Sequence, residues 1–271
     1  MQLSLIRIIN VYNYKITHKI LHIKFNAFAI KRNLINLTFI FVGGFLITLY
    51  PIFENSILKI MTIKSLYKQN RYFFLSYLIL LILGIFILVA YSKTDGFILM
   101  NTWHHQALDY FFIPYTYLGD GLFIIALVII LFFFKKRYLS LMILSSFALS
   151  GIIAQVLKSF IDEARPAYYL AKTNYSYFID GVTLHNLHSF PSGHTTSAFA
   201  LAATLGFAVK NKNYSILFLL MAALAGYSRI YLGQHFMNDV LVGSIIGMLS
   251  AIFCWIYLEK FFKRILKLPI A

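Results

Sequence analysis

The sequence predicts an all-α polytopic membrane protein, a six-transmembrane-helix bundle with room for one further hydrophobic helix near the N-terminus. Three observations predict it. Of 271 residues, 60% are hydrophobic and 12% are charged, whereas a soluble domain carries about 25% charged residues. The apolar residues form continuous runs of about 20, the length of a spanning helix. A transmembrane barrel would instead show alternating strands of about ten residues. Finally, basic residues collect in short segments between the runs. The net charge of +15 is therefore read as cytoplasmic loops rich in Lys and Arg, and a nucleic-acid partner is not expected.

Six runs are expected to span the membrane: Tyr72–Tyr91, Leu118–Phe134, Tyr138–Leu157, Thr195–Val209, Tyr214–Tyr231 and Phe236–Leu258. Lys135-Lys136-Arg137, Lys210 with Lys212, and the tail with Lys260, Lys263, Arg264 and Lys267 then fall on one side by parity. The positive-inside rule makes that side cytoplasmic. An earlier apolar run, 34–53, conflicts with this scheme, because residues 1–33 carry six basic residues and no acid and would lie outside. Either the run spans with an unfavourable flank, or it is interfacial, or the natural start is Met61. The last reading is preferred, making residues 1–60 an extension and 61–271 the membrane domain. No compact apolar core with a small-residue cleavage site marks a signal peptide. The single cysteine, Cys254, excludes an intrachain disulfide and a cysteine metal cluster.

Three polar clusters interrupt the apolar sequence between Lys158 and Asp239. They are Lys158 with Arg165-Pro166, then Pro191-Ser192-Gly193-His194, then Ser228-Arg229 with His235 and Asp239. Each abuts a run end that parity places on the non-cytoplasmic side. Lys158 and Arg165 are seven apart and would share a face of one helix, closed by Pro166. Two cations at a membrane boundary are often just snorkelling, but Arg229 adds a third at the same level. Pro191–His194 precedes an apolar helix, whose free N–H groups and dipole favour an anion. Gly193 would let a phosphate approach closely, and Ser192 adds a hydroxyl. An ordinary cap explains Ser192 but not His194.

His235 and Asp239 are spaced i, i+4 and would be neighbours on a helix. A carboxylate on Nδ1 leaves Nε2 as a nucleophilic lone pair. A polar patch at a helix end is the plainer alternative. His194, His235 and Asp239 could also form a zinc set, but three cations at one site oppose a divalent ion, so no metal or cofactor is expected. Ser192 remains an alternative nucleophile. His104, His105, His185 and His188 read as interfacial or loop residues, and Asp162 and Glu163 as local charge balance.

These clusters resemble those of the type-2 phosphatidic acid phosphatase family, relatives of vanadium-dependent haloperoxidases. Lys158, Arg165 and Pro166 match its first motif, Pro191 to His194 its second, and Ser228, Arg229, His235 and Asp239 its third. The resemblance covers about residues 61–258. It implies a metal-free six-helix membrane bundle in which His235 attacks phosphorus and His194 protonates the leaving oxygen, then activates water. Lys158, Arg165, Ser192, Gly193 and Arg229 would hold the phosphoryl oxygens. The expected function is a membrane phosphatase acting on a lipid phosphate or diphosphate, such as undecaprenyl diphosphate, phosphatidylglycerophosphate or phosphatidate, at the periplasmic face of the inner membrane. A lipid phosphotransferase and a non-catalytic phospholipid-binding or transport protein are the alternatives. The expected partners are the substrate lipid and the bilayer; the sequence is silent on oligomeric state.

Overall fold

The computed structural model of the chain describes residues 63–171, 173, 175 and 178–269; the expectations for residues 1–60 lie outside them. Among the described residues, regular structure is helical. In chain order the helices are α1 (Arg71–Ala90), α2 (Lys93–Asn101), α3 (Gln106–Tyr115), a 3₁₀ turn (Thr116–Gly119), α4 (Gly121–Phe133), α5 (Arg137–Phe160), α6 (Pro166–Tyr169), α7 (Gly193–Ala208), α8 (Asn213–Tyr231) and α9 (Met237–Ile265).

Four helices, α1, α5, α8 and α9, are each long and apolar enough to cross a membrane. The pair formed by α3 with its 3₁₀ tail and α4 is bent by 60° and makes a fifth if it is taken as one span. The run expected to span continuously from Leu118 is therefore broken at Asp120, which caps α4 by accepting the Leu122 N–H at 2.7 Å. The sixth expected span is α7, with 16 residues. At 1.5 Å per residue it is about 24 Å long, short of the roughly 30 Å hydrocarbon core. It packs against α5, α8 and α9, and most of its side chains are buried. A helix sheathed by other helices has no need to match the thickness of the lipid.

The composition of α7 explains its central position. It is rich in Ala, Thr, Ser and Gly, and apolar lipid supplies little driving force between helices, so close backbone approach matters. Gly243 and Gly247 of α9 complete the contact. A side-chain carbon at Gly243 would lie 2.8 Å from the Ser192 carbonyl oxygen, and one at Gly247 would overlap the Thr196 carbonyl oxygen. Hydroxyls tie the helices laterally: Ser146 on α5 meets Thr204 on α7 at 2.8 Å, and Tyr77 on α1 meets Ser244 on α9 at 3.2 Å. Phe73, Phe199, Phe207, Leu219 and Met248 fill the space between. Cys254 is buried within α9.

The outward faces of α1 and α4 carry exposed Leu, Ile, Val and Phe, as lipid-facing surfaces require. The C-terminal ends of α5 and α8 and the N-terminal ends of α7 and α9 meet at one end of the bundle. The position of α7 depends on its contact with α9. Gly247→Ala should destabilise the protein by about 1–3 kcal/mol or more, read as a lower unfolding temperature in detergent. Gly151→Ala, whose added carbon meets nothing, should not. Equal stability of the two variants would refute the close approach.

Candidate active site

The three clusters converge at this end of the bundle, but two of them do so by a route the spacing did not predict. Lys158 lies in the last turn of α5, which stops at Phe160. Ile161 is extended, so Lys158 and Arg165 do not share a helical face. Pro166 does not close that helix; it opens α6, where its fixed φ suits the first position. The loop 186–189 brings the two cations together instead. Arg165 N donates to Asn186 O at 2.8 Å and Ser189 N to Glu163 O at 2.9 Å. Arg165 Nε donates to Leu187 O at 3.0 Å and Lys158 Nζ to His188 O at 2.7 Å. His188 has φ +58°, an uncommon conformation for a non-glycine residue.

His235 and Asp239 are also not neighbours along a helix, because α9 begins at Met237. His235 sits in the preceding turn, made with Gly233 at φ +66°. Its N–H and that of Gln234 both donate to Arg229 O, at 3.1 and 2.9 Å. Asp239 reaches back from the first turn of α9. Its Oδ2 accepts the Phe236 N–H at 2.9 Å and lies 3.3 Å from His235 Nδ1. The cap that starts the helix is thus the group that orients the imidazole. Ser189 joins them: its Oγ donates to Asp239 Oδ2 at 2.5 Å and lies 3.4 Å from His235 Nδ1. With Nδ1 facing the carboxylate, Nε2 is left for the site. Burial, opposed by Asp239, pushes the pKa of His235 down to about 3, so the ring is neutral near pH 7 and retains its lone pair.

The second cluster is tied to the third by Ser192 N, which donates to Asp239 O at 3.0 Å. Ser192 is the N-cap of α7, which starts at Gly193 rather than Thr195; its Oγ accepts from Thr195 N and from Thr195 Oγ1, at 3.4 and 2.9 Å. The Gly193 and His194 N–H groups then stand in the first turn without helical acceptors. A carbon added at Gly193 would meet nothing within 4 Å among the described residues, so the space beside Gly193 is open.

Arg229 is 8% exposed. Its Nη1 donates to Thr116 Oγ1 at 2.7 Å, and among the described residues its Nε has no partner. Arg165 Nη1 donates to Gln234 Oε1 at 3.1 Å. Among the described residues, none of Lys158, Arg165 and Arg229 is salt-bridged to a carboxylate. Three cations held beside a helix N-terminus, with no salt bridge to a carboxylate among the described residues, suit an anion. Among the described residues, no group of three or more His, Cys, Asp and Glu side chains is placed to hold a metal ion.

Ser189, Gln234, Thr116 and Asp120 also take part, and sequence reasoning did not single them out. The first three are neutral and sit in loops or turns, where no pattern marks them. Asp120 did carry a signal, since a carboxylate inside an expected span is costly and calls for a partner; its Oδ2 lies 3.6 Å from His194 Nε2. His104 packs on Tyr231 at 4.4 Å between ring centroids and lies 3.5 Å from Asp109 Oδ1, so it braces α8 rather than forming an open interfacial segment. His185 is exposed, and the His188 ring lies 3.3 Å from Asp162 at the surface. Glu163 pairs with Lys93 at 2.6 Å.

Residues 139–263 match the PAP2 superfamily, a range that contains all three clusters. Phosphatidylglycerophosphatase B of Bacillus subtilis is 32% identical over 147 residues, covering 49% of this chain and 67% of that protein. Lipid A 4'-phosphatase of Porphyromonas gingivalis is 30% identical over 165 residues, covering 59% and 70%. Among solved structures, the transmembrane PAP2-type phosphatidylglycerolphosphate phosphatase of Bacillus subtilis aligns with a TM-score of 0.50 at 28% identity, over 73% of this chain and 96% of its own. By its matched region and its relatives, this chain belongs to the PAP2 superfamily.

Proposed function

We propose that the protein is a metal-independent membrane phosphatase that hydrolyses a lipid phosphate or diphosphate through a phosphohistidine at His235. The reading is supported by His235 Nδ1 lying 3.3 Å from Asp239 Oδ2, at the end of the bundle where Lys158, Arg165 and Arg229 gather without a salt bridge to a carboxylate among the described residues. His235 Nε2 attacks phosphorus as the bond to the lipid oxygen breaks, and His194 gives that oxygen a proton. Water then attacks phosphorus, His194 takes its proton, and the P–N bond breaks with its electron pair returning to Nε2. Lys158, Arg165, Arg229, Ser192 and the Gly193 amide hold the phosphoryl oxygens. A loose phosphoryl-transfer transition state needs mainly this positioning and charge stabilisation.

The proposed substrate class is a lipid phosphate because the three clusters lie at the end of an apolar bundle, where a head group could reach them while its tails stay among lipid. The relatives named above are phosphatases of phosphatidylglycerophosphate and of lipid A. The purified protein should therefore release phosphate from at least one of phosphatidylglycerophosphate, phosphatidate, a lipid A phosphate and undecaprenyl diphosphate, and should keep that activity in EDTA. His235→Ala should abolish release. Asp239→Asn should cut it by on the order of a hundredfold or more. Near-normal turnover by His235→Ala, or loss in chelator with recovery on adding Zn²⁺ or Mg²⁺, would falsify this chemistry.

The site is proposed to face the periplasm or exterior of the cytoplasmic membrane. Lys135, Lys136 and Arg137, then Lys210 and Lys212, then Lys260, Lys263, Arg264 and Lys267 lie at the opposite ends of the same helices, and such basic ends stay cytoplasmic. Single cysteines at His185 and Asn211, both exposed positions, placed in a Cys254→Ser background, report this directly. In spheroplasts a membrane-impermeant thiol reagent should label position 185 and spare 211. The reverse pattern would invert the topology and the lipid pool served.

A further inference from the structure

We infer that Asp120 is the positioning residue for the acid–base histidine: it holds His194 by Nε2, leaves Nδ1 for the substrate, and stabilises the imidazolium. The inference rests on the reading of His194 as proton donor. Asp120 and Thr116 lie outside the family-matched range 139–263, on the 3₁₀ turn and its junction with α4, so a second part of the chain completes the site.

The geometry carries the assignment. Asp120 divides its carboxylate between two tasks. Oδ1 accepts the Leu122 N–H at 2.7 Å and so fixes the side chain; Oδ2 faces His194 Nε2 at 3.6 Å, an ion-pair rather than a hydrogen-bond distance. The turn is pressed against α7: a carbon added to Gly119 would lie 2.5 Å from the His194 carbonyl oxygen and 3.2 Å from its Cβ. From the other end of the turn, Thr116 accepts from Arg229. The segment Thr116–Asp120 therefore touches both a phosphate-holding cation and the acid–base residue.

There is also an electrostatic need. A histidine that must donate a proton is opposed in its protonated form first by burial and then by Arg229, Arg165 and Lys158, and Asp120 is the carboxylate acting in its favour. Burial and the cations required to bind phosphate both raise the cost of protonating this imidazole, and Asp120 lowers that cost. The bound phosphoryl group offsets part of that field; Asp120 offsets more of it at the imidazole itself.

The test uses leaving groups. Phosphatidate releases an alkoxide-like oxygen that needs a proton, whereas 4-nitrophenyl phosphate releases a phenolate that needs little. The purified full-length protein is compared with Asp120→Asn, which keeps a side-chain acceptor for the Leu122 cap, and with His194→Gln. Asp120→Asn should lose about tenfold or more in kcat/KM on phosphatidate and less than about threefold on 4-nitrophenyl phosphate. His194→Gln should show the same selectivity with a larger loss, on the order of 10²–10⁴-fold for removing a general acid. The ratio of the two substrates within one preparation does not depend on how much protein is folded. An equal loss on both substrates, or none, by Asp120→Asn while His194→Gln remains selective overturns the role of Asp120 and leaves the acid role of His194 standing. Absence of selectivity in His194→Gln overturns the acid role, and this inference with it.

Discussion

Three cations must be gathered at one end of an apolar bundle with no carboxylate salt-bridged to them, and the rest of the structure answers to that constraint. Lys158, Arg165 and Arg229 repel one another, and taking such groups out of water costs several kcal/mol each unless they are otherwise satisfied. The chain meets this cost with neutral acceptors: carbonyl oxygens of Leu187 and His188, the amide of Gln234 and the hydroxyl of Thr116. Neutral partners orient a cation without cancelling its charge. Ion-pairing the same three groups to carboxylates would stabilise the empty protein and blunt its attraction for phosphate.

The two carboxylates at the site, Asp120 and Asp239, are placed to serve histidines instead. Asp239 spends its Oδ2 on the Phe236 amide, the Ser189 hydroxyl and the His235 ring, and its Oδ1 has no partner among the described residues. The helix cap and the orientation of the imidazole are thus one interaction, so the start of α9 and the chemistry are built together. Helix packing sets the remaining precision. Because Gly243 and Gly247 admit α7 into contact with α9, Ser192 N reaches Asp239 O, and the second and third clusters are joined through backbone rather than through long side chains.

Much of this was legible in the sequence. The α1, α5, α8 and α9 spans follow from runs of about 20 apolar residues, because lipid demands continuous hydrophobicity. Parity alone put the clusters at the same end of the helices. The failures have a common cause. The seven-residue step from Lys158 to Arg165 and the four-residue step from His235 to Asp239 were read as helical spacing, yet each crosses a helix boundary, at Phe160 and at Met237. Contact across a boundary is made by loop hydrogen bonds that leave no periodic signature. Helix α7, expected as a span, is 16 residues long and is not among the helices long and apolar enough to cross a membrane; a helix walled in by protein is freed from the thickness rule. Ser189, Gln234 and Thr116 act as single neutral acceptors, which sequence does not distinguish from any other loop residue. Asp120 was visible by the same argument that singled out Asp239, because it too is a carboxylate inside an apolar run.

The central claim is that phosphate passes through His235. Trapping that intermediate tests it most directly. In His194→Gln the second step lacks its base, whereas the first still proceeds with 4-nitrophenyl phosphate, whose phenolate leaves without a proton, so a phosphoryl group carried by the protein should accumulate when that substrate is mixed and the reaction is quenched. Peptide mass spectrometry under alkaline conditions should place an acid-labile, base-stable adduct on the peptide containing His235, at up to one per chain. An adduct on Ser192, or continued phosphate release with no adduct on His235 at any quench time, would contradict the account.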